Sequence, residues 1–321
     1  MARLLVVAPN WIGDALLAQP LLARLREKLP QARLDVLAPA WVAPVVRRMP
    51  EVSGVIETGF EHGELRLRER WKLGRTLKAL GYTQAIVLPN SWKSALVPFF
   101  ADIPMRSGYV GESRYGLLNL LYRKQPARET MALHYARLAE APRAEIRQPL
   151  PQPKLAVDAQ SAQRTRERFV PAGRYAVFCP GAEYGPAKRW PHFKALAERV
   201  ELPVLLLGSA KERAQCAGIK GRNLAGQTTL DEAIELIAGA QLVVANDSGL
   251  MHVAAALGRP QVALFGSSSP QHTPPLSDKA RVLWLGIECS PCYARECPLG
   301  HFRCMKELGV ERVLQEVKGL A

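Results

Sequence analysis

Polar, acidic and basic residues gather where apolar runs end, and these are the residues that could do chemistry. Asn246-Asp247-Ser248-Gly249 closes the apolar run 242–245 and opens a short helical run, 250–257. Gly258 and Pro260 stop that run, and a second apolar run, 261–265, follows. Gly tolerates a left-handed cap and Pro cannot extend a helix. The stretch therefore predicts strand, turn, helix and strand, the unit of a parallel sheet. The turn lies at the carboxyl end of its strand, where open α/β sheets bind ligands. Backbone N–H groups of Ser248, Gly249 and Leu250 would point outward there, with the positive end of the helix dipole behind them. That is a seat for a phosphate, and Asp247 beside it can accept hydrogen bonds from sugar hydroxyls. An ordinary helix cap with no ligand is the other reading, and this segment alone leaves it open.

Three further motifs hold candidate residues at predicted strand ends. Residues 9–14, Pro-Asn-Trp-Ile-Gly-Asp, place Asp14 after the first apolar run. A carboxylate there could act as a general base or simply cap a helix. Residues 180–191 crowd Gly and Pro around Lys188 and Arg189, a point charge and a fork suited to a diphosphate. A solvated basic loop would not need that rigidity. Residues 208–212 place Glu212 where it could bond ribose hydroxyls, and residues 266–270 add further hydroxyls and amides. Together they predict a nucleotide diphosphate held by the second half of the chain, with a base and an acidic acceptor presented by the first. His252, among Val253 and Ala254, reads as a packed histidine, with a phosphate contact as the sharper alternative.

Cys289, Cys292, Cys297 and Cys304, with His301 among them, have the look of a zinc site. The spacing fits no standard finger, so a structural zinc and a redox-sensitive loop both stay open. The loop is expected to lie away from the other motifs and to take no part in catalysis. Cys179 and Cys216 read as ordinary thiols.

The elements that must position these residues alternate. Apolar runs at 4–8, 34–38, 54–57 and 85–88 read as strands, separated by helical patterns at 15–29, 41–48, 65–80 and 94–100. Residues 141–174 carry Pro142, Pro149, Pro151, Pro153 and Pro171 with little periodicity and read as a linker. The rhythm then restarts with runs at 175–179 and 204–207 and a helix at 230–239. The expected fold class is α/β, with two Rossmann-like doubly wound domains at 1–160 and 170–309. A final amphipathic helix, 310–321, is expected to pack back across the boundary. Two such domains facing a cleft describe the GT-B architecture, which does not by itself give a function.

The chain has 321 residues, 48% of them hydrophobic, enough for two folded domains. No apolar run is long enough to span a bilayer, and no signal peptide is read, so the expected location is cytoplasmic. The formal charge is +14. Residues 1–160 hold 23 Lys and Arg against 14 Asp and Glu, so the excess leans to the first half. No nucleic-acid motif accompanies it, and an anionic substrate or membrane face is the expected partner. The basic run 66–72 is ordinarily a solvated helix face, but could also meet a membrane or the acceptor. The absent GxGxxG argues against a nicotinamide-dependent oxidoreductase. A non-catalytic nucleotide-sugar sensor is the remaining rival.

The blocks PNWIGD, LAPAWVAPVVRRMPEV, LPNSWKSALVPFFA, YGLLN, CPGAEYGPAKRWP and NDSGLMHVAAALGRPQVALFGSSSP occur in that order. Together they resemble the ADP-heptose:lipopolysaccharide heptosyltransferases, most closely the heptosyltransferase II branch, from the first strand to about Leu276. The resemblance implies an inverting GT-B enzyme that needs no metal or other cofactor for catalysis. It would carry L-glycero-D-manno-heptose from ADP-heptose to heptosyl-Kdo2-lipid A. The alternative is a heptosyltransferase I acting on Kdo2-lipid A. Asp14 matches the family's base, Lys188 the lysine at the donor phosphates, and Glu212 the acid at the ribose. Asp247 matches the aspartate that meets the heptose, and Ser248, Gly249 and Leu250 the amides at the diphosphate. Arg189 joins Lys188 at the leaving ADP. Lys93, Arg106 and Arg114 are expected at acceptor phosphate or carboxylate. The implied partners are a lipid-linked anionic sugar and the inner-leaflet surface, with the enzyme peripheral at the inner face of the inner membrane. No nucleic acid is expected, and no oligomeric state is implied.

Overall fold

The computed structural model describes residues 2–60, 63–123, 129–170 and 173–320. Pro171, one of the linker prolines, lies outside them, as does Ala321. The chain forms two compact units, Met1–Gln152 and Pro153–Ala321.

In the first unit, β1 (Arg3–Val7), α1 (Ile12–Leu17), α2 (Gln19–Lys28), β2 (Arg33–Pro39) and α3 (Ala43–Arg47) lead into β3 (Gly54–Thr58). Then follow α4 (Leu67–Lys78), β4 (Gln84–Val87), α5 (Leu96–Phe100), β5 (Met105–Tyr109), β6 (Leu120–Tyr122) and α6 (Met131–Ala136). The single helix expected at 15–29 is two. Pro20 sits in the first turn of α2, where its missing N–H costs nothing, and the chain turns at Ala18 to restart the helix.

The second unit holds α7 (Ala159–Phe169), β7 (Ala176–Cys179), α8 (Phe193–Arg199), β8 (Val204–Leu206) and β9 (Arg222–Asn223). After these come α9 (Leu230–Gly239), β10 (Leu242–Asn246), α10 (Gly249–Ala256), β11 (Gln261–Phe265), β12 (Ala280–Trp284), α11 (Arg303–Lys306) and α12 (Val310–Leu320). Helix α7 falls inside the stretch read as a linker and packs on α9. Asp158 caps it, accepting from the Ser161 N–H at 2.7 Å. Helix α12 packs against α8 and β11 of its own unit.

Each unit has one six-stranded parallel sheet, ordered β3-β2-β1-β4-β5-β6 and β12-β11-β10-β7-β8-β9. Strands β7, β10 and β11 are buried along their whole length, which is why they read as unbroken apolar runs. Register pairs Val243 with Gln261 and Val244 with Phe178, so β10 is locked on both sides. The core of the second unit gathers Phe178, Trp190, Phe193, Leu206, Val244, Leu264 and Met305. That of the first gathers Leu5, Leu37, Val87, Val97 and Ile103. In both sheets the strand order reverses beside the first strand, between β1 and β4 and between β7 and β10. The carboxyl ends at such a reversal leave a crevice, because the following loops run to opposite faces.

Candidate functional site

In the second unit the crevice is organised by Asn246, the fully buried last residue of β10. Its Oδ1 accepts from the Trp190 N–H at 3.1 Å, and its Nδ2 donates to the Pro180 carbonyl at 2.7 Å. Both ends of the loop 180–190 are thereby sewn onto β10. The loop carries Lys188 to Asp247, with Nζ 2.5 Å from Oδ2. Only 15% of the lysine side chain and 5% of the aspartate side chain are exposed, so the pair is largely desolvated. The Ser268 hydroxyl donates to the same carboxylate oxygen. Lys188 also lies 4.7 Å from the Tyr184 ring centroid, and the Arg295 guanidinium 5.4 Å from that ring.

Beside this pair, Ser248 caps α10 without a side-chain bond to the helix, and Ser248, Gly249 and Leu250 are half-buried. A helix start next to a buried cation, at a strand-order reversal, is a place where an anion is doubly favoured. His252, one turn further in, is buried and packed, as its apolar neighbours predict. Burial pushes its imidazole down to about 4, with Lys188 adding to that and Asp247 opposing it. It is neutral at pH 7.

Glu212 is held between the loops after β7 and β8. Its Oε2 accepts from the Ser209 N–H at 2.7 Å in a capping box. A Cβ on Gly181 would come within 2.1 Å of its Oε1, so only glycine allows the carboxylate in. Arg189 is half-buried, and its Nη2 donates to the Ala182 carbonyl at 3.3 Å, fastening its own loop.

The cysteine loop corrects an expectation, because it touches this site. The Tyr293 N–H donates to the Ser267 carbonyl at 2.7 Å, and the Ala187 N–H donates to the Arg295 carbonyl at 3.0 Å. The Ser290 hydroxyl donates to the Gly266 carbonyl at 2.6 Å. Gly185, at φ +155°, lets Arg295 approach; a Cβ there would lie 2.3 Å from the Arg295 carbonyl oxygen. Of the two open readings of the cysteines, a structural zinc finds no preformed ligand set among the described residues. Among the described residues no group of three or more His, Cys, Asp or Glu side chains is placed to hold a metal ion. Cys289, Cys292, Cys297 and Cys304 are free thiols, and the Cys297 sulfur accepts from the Phe302 N–H at 3.4 Å. Cys304 is buried at α11, and its thiol is pushed up first by burial and then by the other three sulfurs.

In the first unit the carboxyl ends of β1 to β4 surround a cavity of about 360 Å³. Asn10, Thr58, Arg70, Asn90, Lys93 and Glu112 supply its polar lining. Asp14 lies in the first turn of α1, half-buried, close enough to Tyr135 of α6 to help raise that phenol beyond the effect of burial. Two expected acceptor contacts are placed elsewhere. Arg106 sits near the amino end of β5, and its guanidinium donates to the carbonyls of Ile103 at 2.6 Å and Leu117 at 2.7 Å. Arg114 is 1% exposed and donates to the carbonyls of Pro89 and Tyr109 and to the Ser94 hydroxyl. Burial lowers it to about 10. Both bind the chain to itself.

Sequence reasoning missed Asn246 as a staple, Ser268 as the second partner of Asp247, and the Tyr184–Arg295 contact. It also missed a cavity of about 480 Å³ bordered by Arg123, Arg137 and Arg143 beyond β5 and β6. Only the position of Asn246 and Ser268 at strand ends could have flagged them.

Comparison with known proteins bears on this arrangement. The model of glycosyltransferase family 9 (heptosyltransferase) matches residues 70–303. Lipopolysaccharide heptosyltransferase 2 of Escherichia coli strain K12 is 43% identical over 341 residues, covering 99% of this chain and 98% of the relative. Its counterpart from Salmonella typhimurium is 42% identical, with the same shares covered. The solved structure of E. coli ADP-heptose lps heptosyltransferase II matches with a TM-score of 0.88 at 42% identity, covering 99% of this chain and 98% of that one.

Proposed function

Because the chain belongs to glycosyltransferase family 9, the heptosyltransferases, we propose that it transfers L-glycero-D-manno-heptose from ADP-heptose to the heptose of heptosyl-Kdo2-lipid A. The observation that carries the donor half is the desolvated Lys188–Asp247 pair beside the start of α10. A diphosphate seated there would draw on Lys188 and on the first-turn amides. Asp247 would then be free to meet sugar hydroxyls, and Glu212, which lies against Gly181, would meet the ribose.

In the proposed reaction Asp14 takes the proton of the acceptor hydroxyl as its oxygen attacks the anomeric carbon. ADP departs from the opposite face, so the configuration inverts. Its growing negative charge meets fixed donors already oriented in a partly dry site. Lys93, at the rim of the 360 Å³ cavity, is the expected contact for an acceptor phosphate or carboxylate. A lipid-linked acceptor would bring the enzyme to the inner face of the membrane. No helix among the described residues is long and apolar enough to cross it.

The test is incubation with ADP-heptose and defined acceptors, read by mass spectrometry. One heptose added to heptosyl-Kdo2-lipid A, and none to Kdo2-lipid A, is expected. Addition to Kdo2-lipid A alone would instead identify a heptosyltransferase I. Asp14→Asn should lower turnover about 10²- to 10⁴-fold while ADP affinity by calorimetry stays as in the wild type. Wild-type turnover in that variant removes Asp14 from the base role.

A further inference from the structure

Helix α4 turns its buried side, Arg70, Gly74 and Leu77, inward, where Gly74 lets it lie directly on Phe100 of α5. The outer side is unusual for a solvated helix. Leu67 and Trp71 are 48% and 51% exposed, one turn apart. At about 100° per residue Lys78 falls on the same line, Arg75 and Arg68 flank it, and Lys72 lies further round, between them and Glu69. All four cations are exposed. The one acidic residue of the helix, Glu69, lies on a different side. Phe99 of α5 and Met105 of β5 are also exposed, at 40% and 45%, and Asp102 between them pairs with Lys78 at 2.6 Å and with Arg75 at 3.7 Å.

We infer that this face of α4 docks on an anionic lipid bilayer, with Leu67 and Trp71 entering the headgroup layer and Arg68 and Lys72 reaching lipid phosphates. The chemistry of the face selects that partner. An indole settles at the boundary between headgroups and acyl chains. Long basic side chains can lay their stems on apolar surface while their charges reach phosphate. Basic residues near a negatively charged leaflet each add to attraction. A nucleic acid would use the charges but would gain nothing from Leu67. The inference rests on the proposed lipid-linked acceptor only for its purpose, since vesicle binding is measured without any acceptor.

The test uses the full chain and sedimentation with vesicles of phosphatidylcholine, alone or mixed with phosphatidylglycerol. The wild type should sediment with the mixed vesicles and not with the neutral ones. Arg68→Gln with Lys72→Gln should weaken binding about 25-fold, at about fivefold for each charge. Leu67→Ser with Trp71→Ser should weaken it about tenfold or more. Both pairs lie on the surface, so thermal unfolding should be unchanged. Turnover of the Leu67/Trp71 pair on a deacylated, water-soluble acceptor should equal that of the wild type. Vesicle binding unaffected by either pair overturns the inference. So does equal binding to neutral vesicles, or binding to single-stranded DNA that is lost with the charge pair while vesicle binding survives the Leu67 and Trp71 changes. A wild type inactive on the soluble acceptor, yet still sedimenting as expected, counts against the proposed reaction and leaves the docking face standing.

Discussion

Lys188 and Asp247 are 59 positions apart in sequence, yet their charged groups meet at 2.5 Å in a largely desolvated setting. Each balances the charge of the other. A donor diphosphate bound as proposed would compete with Asp247 for the ammonium.

Lys188→Ala should therefore do two things. It leaves Asp247 buried without its cation, costing about 3 kcal/mol of stability, as the loss of one member of a buried pair does. It also weakens ADP. The double variant Lys188→Met with Asp247→Asn removes both charges and should recover most of the stability but none of the ADP affinity. Urea midpoints and calorimetry read the two effects separately. ADP affinity that returns along with stability would show Lys188 to be purely structural.

Asn246→Leu tests the staple. The substitution strands the Trp190 N–H and the Pro180 carbonyl in the interior, each previously bonded to the Asn246 amide. Leaving such groups unpaired should cost about 2–4 kcal/mol in total. Because the loop they hold carries Lys188, ADP should also bind more weakly. Unfolding curves that match the wild type would mean the loop is held by other contacts.

The contrast between what could be read and what could not is physical. Strands β7, β10 and β11 stand out because both faces of a parallel sheet are covered, which demands continuous apolar residues. Strands β5 and β12 do not, because Met-Arg-Ser-Gly-Tyr and Ala-Arg-Val-Leu-Trp mix polar and apolar residues near the sheet edges. Strand β6 has only three residues. Asp14, Lys188 and Asp247 stand out as candidates because ligands gather at strand ends in this architecture, and the structure brings Lys188 and Asp247 together. Arg106 and Arg114 were misread because a guanidinium can bind backbone carbonyls as readily as phosphate, and the carbonyls concerned come from segments the sequence does not visibly pair. The cysteine loop was misplaced for a similar reason. Strand β12 runs parallel beside β11 and ends at Trp284, level with Phe265, and the loop after it reaches back over the β11 end, so Tyr293 meets Ser267 through tertiary structure alone.

His252 makes stability depend on pH. Its folded value of about 4 lies below the ordinary 6.5, because burial disfavours the imidazolium. The unfolded chain takes up that proton as pH falls below about 6.5, and the folded chain does so only near 4. Between these values the unfolded state binds more protons, so stability falls with falling pH. The contribution is present in full above pH 6.5, and roughly 2 kcal/mol of it should be lost by about pH 4.5. His252→Leu should flatten that part of the stability curve. Denaturant titrations at pH 7 and at about pH 4.5, on both proteins, measure the difference. An unchanged slope in the variant would assign the acid sensitivity to other groups.

Lys93, Arg106 and Arg114 separate acceptor binding from scaffolding. Lys93 lines the cavity at the carboxyl ends of β1 to β4, while the other two spend their donors on the chain. Lys93→Ala should raise the acceptor KM about tenfold, as loss of one charge-assisted contact does, with little change in unfolding temperature. Arg114→Met should show the reverse pattern. It leaves the carbonyls of Pro89 and Tyr109 without their donor and should cost about 2–3 kcal/mol, with the acceptor KM of the folded fraction unchanged. Arg106→Ala should resemble Arg114→Met, only weaker, because Arg106 is half-buried where Arg114 is fully buried. Initial rates across a range of acceptor concentrations, paired with urea unfolding, give both quantities for each variant. A large rise in acceptor KM for Arg114→Met at full stability would return that arginine to the binding surface and make Lys93 the bystander.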